Sequence, residues 1–311
     1  MLNKDQSITT DNMEIGDNAK DVLQVNGHYI DMRSDYLVIK EVFTDLYNAN
    51  NYKIQQELMS RVEDKINLLS RKFAEAIDTI KVKSEVSNHN QIVQSMNDPS
   101  TQMLANQCLY QSVYKNEDHT VEILAKLLAE KVTKEKKDYI IEDCVESLKF
   151  ISMNDINYIS LIYSISYKSY RIGIYFLDTY FDQVQSENFD KEQKELRVEQ
   201  ITKRFIDLYN KIGSYFLELN TDETDYNYLM NKGWFYTNLI NVPDPLQTIA
   251  SYLKKIDGSN YSLTEIQELI PKLNEAWIKY NGKDFQGNRL SSISMLLASI
   301  HTDDLLEKID K

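Results

Sequence analysis

The chain has 311 residues, of which 42% are hydrophobic and 27% are charged, so it is long enough to bury a sizeable core. Its 4 prolines and 8 glycines are few, which argues against an all-β fold with many tight turns and favours long helices. The formal net charge of −13 disfavours non-specific binding to nucleic acid or to an anionic membrane.

Residues 13–30 differ from the rest of the chain, because their apolar residues are of β type and two turn signals interrupt them. The signals are Gly16-Asp17-Asn18 and Asn26-Gly27, and Asn-Gly favours the type I′ turn of a hairpin. Strands of about five residues are not stable alone in water, so their edges must pair with something. We therefore predict that this segment drives self-association. The predicted oligomerisation residues are Ile15, Gly16, Asn18, Val22, Val25, Asn26, Gly27, Tyr29 and Ile30.

The alternative for residues 13–30 is a β-hairpin that folds back onto the helical body of its own chain. Pairing with the same segment of a second copy satisfies the edge groups, and closed symmetry limits growth of the assembly. Residues 1–12 are polar and rich in Asp, Asn, Ser and Thr, which is typical of a disordered start.

From Ser34 onward the apolar residues recur at helical spacing. Ser34 or Asp35 caps a first helix, which ends in the polar run Asn48–Asn51. A long helix follows, in which one apolar seam repeats at spacings of three and four residues. The seam consists of Ile54, Leu58, Val62, Ile66, Leu69, Phe73, Ile77 and Ile80. It can pack within the monomer or extend an interface with a second copy over residues 54–80.

The next helices have clear start signals. Pro99 suits the first turn of one helix, and Asp118 caps the next after a short loop, so these two should pack antiparallel. A helix is predicted from about Lys136 to Met153. Asn154 or Asp155 is predicted to cap the most apolar helix, which should be central to the core.

The rest of the chain continues the helical pattern. Residues 170–184 predict a further apolar helix, and the polar run 185–195 is either a domain boundary or a solvated helix start. Ser262 and Glu265 form a predicted capping box. The apolar run Leu290–Ile300 is a strand or a buried helix, which periodicity does not decide.

These elements predict a mostly α fold, namely a multi-helix bundle or an irregular α-solenoid of antiparallel helix pairs, preceded by a short N-terminal β segment. We predict three parts. Residues 1–33 form the disordered start and the oligomerisation segment, residues 34–185 an N-terminal helical domain and residues 186–311 a C-terminal helical domain.

No residue pattern points to chemistry. The four histidines (His28, His89, His119 and His301) and the two cysteines (Cys108 and Cys144) lack metal-ligand spacing. No catalytic, cofactor-binding or metal-binding residue and no cofactor is therefore predicted, and the thiols should be buried and reduced. Trp234, Phe235 and Trp277 are interpreted as core residues, with pocket lining as the alternative. Without a signal-peptide pattern or an apolar run of roughly 20 residues, we expect a cytoplasmic protein with no membrane span.

The order of these features resembles a group of uncharacterised bacterial proteins that occur sporadically, often near mobile elements and phage-defence genes. The elements that carry the resemblance are Gly16–Asn18 with Gln24–Gly27, Leu46–Asn50, Asp98–Gln102 and, more weakly, Leu290–Ala298. The similarity extends through the helices to about residue 165. It implies a role in defence or its regulation by association only, and it transfers no catalytic residue.

The sequence thus favours a self-associating interaction protein of bacterium–phage conflict that acts by binding rather than by catalysis. Its partners would be itself and another protein of a defence system. Two alternatives stay open. One is an enzyme of unrecognised type with a pocket between the helical halves, and the other is a phage-borne or plasmid-borne acidic inhibitor of a host protein.

Overall fold

The fold is mostly helical in the part of the chain that the structure describes, which confirms the predicted class with its short N-terminal β segment. The computed structural model describes residues 22–25, 28–31, 35–50, 52–83, 89–115, 117–133, 139–168, 184, 190–219, 224–237, 244–255, 257–285, 288–303 and 305. The predicted helix over residues 170–184 lies almost entirely outside these residues.

A β-hairpin and seven helices make up the first half of the described chain. They are β1 (Val22–Val25), β2 (His28–Asp31), α1 (Asp35–Asn50), α2 (Tyr52–Lys83), α3 (His89–Met96), α4 (Pro99–Lys115), α5 (Asp118–Thr133), α6 (Tyr139–Ser147) and α7 (Met153–Tyr163). A 3-10 turn, Leu148–Phe150, follows α6, and a π-helical turn, Ser164–Lys168, follows α7.

The second half contains six helices and a small sheet within the described residues. They are α8 (Lys191–Glu218), α9 (Tyr226–Asn231), β3 (Phe235–Thr237), α10 (Pro245–Tyr252), α11 (Leu263–Leu269), α12 (Pro271–Lys279), β4 (Asn288–Leu290) and α13 (Ser292–His301). β3 and β4 pair antiparallel, with Phe235 opposite Leu290. This second sheet was not predicted. Most of the undecided run Leu290–Ile300 is helix, because Ser291 caps α13 and accepts a hydrogen bond from the Ser294 N–H.

The predicted helix from Lys136 to Met153 is wrong in its extent, because α6 ends at Ser147 and a new helix begins at Met153. The predicted cap of α7, Asn154 or Asp155, is also corrected to Ser152. The Ser152 Oγ accepts a hydrogen bond from the Asp155 N–H at 3.2 Å, and the Asp155 carboxylate accepts one from the Ser152 N–H at 2.9 Å. This reciprocal pair fixes the start of α7 and ends the preceding segment.

Helices α7 and α5 are largely buried. Every residue of α7 from Ile156 to Ile162 is buried, as predicted for the most apolar helix. α5 packs between α2, α4 and α6, and 10 of its 16 residues are buried. Its charged residues Glu122, Lys126 and Glu130 recur every four positions and are only partly buried, so α5 keeps one polar face.

The seam of α2 packs inside the monomer over the part for which side chains are described. Its buried members there are Val62, Ile66, Leu69, Phe73 and Ile77. They lie against α5 and α1, and the Phe73 ring meets Phe43 of α1 edge to face with centroids 5.9 Å apart. Burial against its own chain makes this stretch unavailable to a second copy.

α13 brings the end of the chain back to the first helices. It packs against α7, α6 and α5, and His301 Nε2 lies 3.1 Å from Asn157 Oδ1 of α7. One helix of the predicted range 186–311 therefore contacts the predicted range 34–185. The division into these two domains stays a prediction.

α8 and α12 approach each other closely at Gly213. A Cβ atom at this position would lie 2.3 Å from the backbone nitrogen of Leu273. Three residues before it, the Asn210 side chain joins α8 to the end of α11 and the start of α12. Its Nδ2 donates to the Leu269 carbonyl and its Oδ1 accepts from the Lys272 N–H, both at 3.1 Å. Glycine is needed here because the two backbones leave no room for a side chain.

Candidate functional site

The N-terminal strands lie where the sequence places them. β1 and β2 pair antiparallel, with Leu23 opposite Ile30 and Val25 opposite His28. The two residues between the strands are Asn26 and Gly27, the predicted turn. Of the predicted oligomerisation residues, Val22 and Val25 belong to β1 and Tyr29 and Ile30 to β2. The others, Ile15, Gly16, Asn18, Asn26 and Gly27, lie outside the described residues.

The hairpin rests against the helical body of its own chain. β1 contacts α1 and α3, and β2 contacts α1. This placement agrees with the alternative of a hairpin folded back on the monomer. Within the described chain, each of the two strands pairs with one neighbour, so each keeps one outer edge. Self-association through these edges stays a prediction.

The cysteines occupy the core and have the properties of unreactive thiols. Cys108 on α4 and Cys144 on α6 are both buried and free. Burial raises the pKa of Cys144 to about 12 and that of Cys108 further above its usual range. Since the thiolate is the form that acts as nucleophile and metal ligand, these two thiols stay protonated and unreactive near neutral pH.

The described histidines do not form a cluster with other ligand residues. His301 is half-buried and contacts Asn157, whereas His119 is exposed in the first turn of α5. Over the described residues, no group of three or more His, Cys, Asp or Glu side chains could hold a metal ion. No helix among them is long and apolar enough to cross a membrane.

An aromatic cluster joins α7 to the β3–β4 sheet. The Tyr158 ring of α7 packs edge to face on Phe235 of β3 with ring centroids 5.9 Å apart, and Phe235 stacks on Tyr226 of α9 with centroids 5.3 Å apart. The Phe285 ring completes the cluster, with its centroid 5.4 Å from that of Phe235. These rings contact one another and fill the space between them, so the cluster acts as a packed junction between the two halves.

The two phenols of this junction are held protonated. Burial raises the pKa of Tyr226 to about 12. Burial, followed by the nearby Tyr226 phenol and Asp284 carboxylate, raises the pKa of Tyr158 still further. A phenol with a raised pKa can donate a hydrogen bond but is a poor general base at neutral pH. Tyr158 and Tyr226 carried no sequence signal, because only the tertiary fold brings them together.

The three residues interpreted as core residues rather than pocket lining, Trp234, Phe235 and Trp277, are all buried, and this confirms the core interpretation. Phe235 lies at the centre of the aromatic junction, and the Trp277 ring is covered by the backbone at Gly282.

Comparison with known proteins identifies a family for most of the chain. Residues 34–255 match the model of a family of uncharacterised proteins. This match begins after the hairpin, so it does not cover the N-terminal motif at residues 16–27. No curated protein and no solved structure matches the chain.

Proposed function

The chain belongs to the family of uncharacterised proteins whose model spans residues 34–255, and we propose that it acts by binding, as a self-associating protein whose copies meet at the β1–β2 hairpin. The observation that carries this proposal is the pair of outer strand edges. Residues 22–31 contain one charged residue, Asp31, and no proline. Natural edges that avoid pairing use charges, prolines or bulges, and this hairpin has few such devices.

The register identifies the backbone groups that a second copy would engage. Pairs in an antiparallel ladder alternate between hydrogen-bonded and non-hydrogen-bonded, and the pair beside a two-residue turn is hydrogen-bonded. Leu23 and Ile30 are then a hydrogen-bonded pair, and Gln24 and Tyr29 are not. The N–H groups of Gln24 and Tyr29 therefore point to the outer edges, where a strand of another copy extends the sheet.

A two-fold contact fits this geometry. When the same edge of two copies pairs antiparallel, two hairpins form one four-stranded sheet, and the contact closes on itself. Main-chain hydrogen bonds also carry no net charge, so they suit a chain whose net charge of −13 makes copies repel.

The biological setting of this association is proposed from the resemblance alone. We propose that the assembly serves bacterial defence against phage or its regulation, with another protein of a defence system as the partner. The test is to challenge cells with phage in the presence and absence of the gene. Unchanged plaque numbers across a broad phage panel would refute this role in defence but would leave the proposed self-association unaffected.

The test of self-association uses light scattering on the full chain, whose monomer mass is 36.4 kDa. We expect at least twice this mass. Gln24→Pro with Tyr29→Pro removes one outward N–H group from each strand and should give a monomer. Gln24→Thr is the matched control, because it keeps the N–H and should keep the assembly. A monomeric wild-type chain, or proline variants with the wild-type mass, would refute the proposal.

A further inference from the structure

The two edges of the hairpin have different surroundings. α1 contacts both strands, so it lies across the hairpin. α3 contacts β1 and, within the described part of the chain, makes no comparable contact with β2, so it lies toward the β1 side. A helix placed beside a strand is one of the ways in which natural proteins cover a sheet edge. The outer edge of β2 is therefore the more accessible of the two.

The register of the hairpin determines which backbone groups β2 offers at that edge. Ile30 forms a hydrogen-bonded pair with Leu23, so its N–H and C=O are used inside the hairpin. Its neighbours Tyr29 and Asp31 belong to non-hydrogen-bonded pairs, so the N–H and C=O of both point away from β1. Two residues of β2 can therefore exchange hydrogen bonds with another strand.

One antiparallel register between two β2 strands uses all of these outward groups. It places Tyr29 opposite Asp31 of the second copy, and symmetry forms the same pair again. Each pair exchanges two hydrogen bonds, which gives about four in all. A slide of two residues in one direction pairs Asp31 with Gly27, which lies outside β2. A slide in the other direction pairs Asp31 with Asp31 of the second copy, so two like charges stand opposite each other.

We propose that two copies of this chain pair through β2, antiparallel about a two-fold axis at Ile30, in the strand order β1-β2-β2-β1. This inference rests on the proposed self-association and names the edge and the register by which it occurs. Asp31, the one charged residue of residues 22–31, then stands opposite Tyr29 and not opposite its own equivalent. The outermost strands are the two β1 strands, each with α3 on its side, so the assembly stops at two copies.

The first test compares one proline on each edge in the full chain. Tyr29→Pro removes an outward N–H from β2, and Gln24→Pro is the matched control, because it removes an outward N–H from β1. We expect Tyr29→Pro to raise the dissociation constant from sedimentation equilibrium at least about tenfold, since about two of the four hydrogen bonds are lost. Gln24→Pro should leave the constant unchanged.

The same comparison separates this inference from the proposed function. If Gln24→Pro weakens association and Tyr29→Pro does not, copies meet through β1, so the proposed edge is overturned while self-association through the hairpin stands. Equal effects of the two prolines would also overturn the choice of one edge. A wild-type chain that stays monomeric at all concentrations overturns both proposals.

The second test uses cysteine cross-linking, which leaves every backbone N–H in place. At the two-fold axis, Ile30 and Ile30 of the second copy form a non-hydrogen-bonded pair with Cα atoms about 4.5 Å apart. This distance lies within the range of about 4.4–6.8 Å that a disulfide spans. Ile30→Cys should therefore give a covalent dimer on a non-reducing gel after mild oxidation. The native thiols are buried and do not interfere.

Leu23→Cys and Tyr29→Cys are the matched controls for the edge and for the register. In the proposed dimer the two Leu23 positions are three strand spacings apart, about 14 Å, so they cross-link only if β1 edges pair. The two Tyr29 positions are diagonal neighbours about 8 Å apart, which is beyond the reach of a disulfide. Cross-linking of either control in place of Ile30→Cys, or of no variant in a chain that associates, would overturn the proposed edge and register but not the self-association itself.

Discussion

Replacing Gly213 by alanine should test whether the contact between α8 and α12 holds the second half of the molecule together. The added Cβ would lie 2.3 Å from the Leu273 nitrogen, 2.3 Å from the Lys272 carbonyl carbon and 2.5 Å from the Leu273 Cα. All three are backbone atoms, which cannot rotate away as a side chain can. Ordinary contacts are 3.5–4.0 Å, so the helices must separate by on the order of 1 Å.

Two effects of opposite sign decide the result. Alanine is a better helix former than glycine by about 1 kcal/mol in a helix interior, which favours the variant. Overpacking costs about 1–3 kcal/mol, and separation of the helices also stretches the hydrogen bond from the Lys272 N–H to Asn210, at about 1 kcal/mol. The net expectation is a loss of about 2 kcal/mol in the free energy of unfolding.

The measurement is urea denaturation followed by tryptophan fluorescence. Gly213→Ala should lower the midpoint without a change in slope. Ser214→Ala is the matched control, because position 214 already carries a Cβ and lies on the same helix, so its effect should stay within about 0.5 kcal/mol. An unchanged or raised midpoint for Gly213→Ala would show that helix propensity wins and that α8 and α12 do not constrain each other.

Two further predictions concern pKa shifts. Native Cys108 and Cys144 should react with iodoacetamide at pH 8 far more slowly than in urea, because burial raises both thiol pKa values; equal rates would contradict this. Lys255 Nζ lies 2.7 Å from Glu265 Oε1, and the Lys255 ammonium together with Ser262 lowers the pKa of Glu265 to about 2. The ionised Glu265 should therefore stabilise the fold fully above the pKa of an unfolded glutamate, near 4.3, and this stabilisation should vanish as the pH falls through about 2. Lys255→Met should raise this pKa in an NMR titration, and an ordinary value in the wild-type chain would contradict the ion pair.

Local signals predicted some helix boundaries correctly because they act within a few residues. α1 ends at Asn50, within the polar run Asn48–Asn51, and Pro99 begins α4. The predicted capping box also forms, since the Ser262 Oγ accepts from the Glu265 N–H at 3.2 Å and Glu265 accepts from the Ser262 N–H at 2.8 Å. Each of these features depends on backbone groups that lie close in sequence.

Features that depend on contacts between residues distant in sequence were not predicted. β3 and β4 have three residues each and are separated by about fifty positions, so no alternation marks either strand. Gly213 lies inside a helical pattern that gives no reason for a glycine, and the close backbone of α12 supplies the reason. The exposure of Tyr110 and Tyr114 also depends on how α4 packs against its neighbours, because the helical period of an uncharged helix does not show which of its faces is buried.

The hairpin lies outside the family boundary, because the family model spans residues 34–255 and the hairpin strands lie within residues 22–31. The family match therefore does not support self-association through the hairpin. If copies pair through one strand edge about a two-fold axis, the contact closes on itself and the assembly stops at two copies. If both outer edges pair, copies link into larger assemblies, so a mass that grows beyond the dimer with concentration would show that both edges are used.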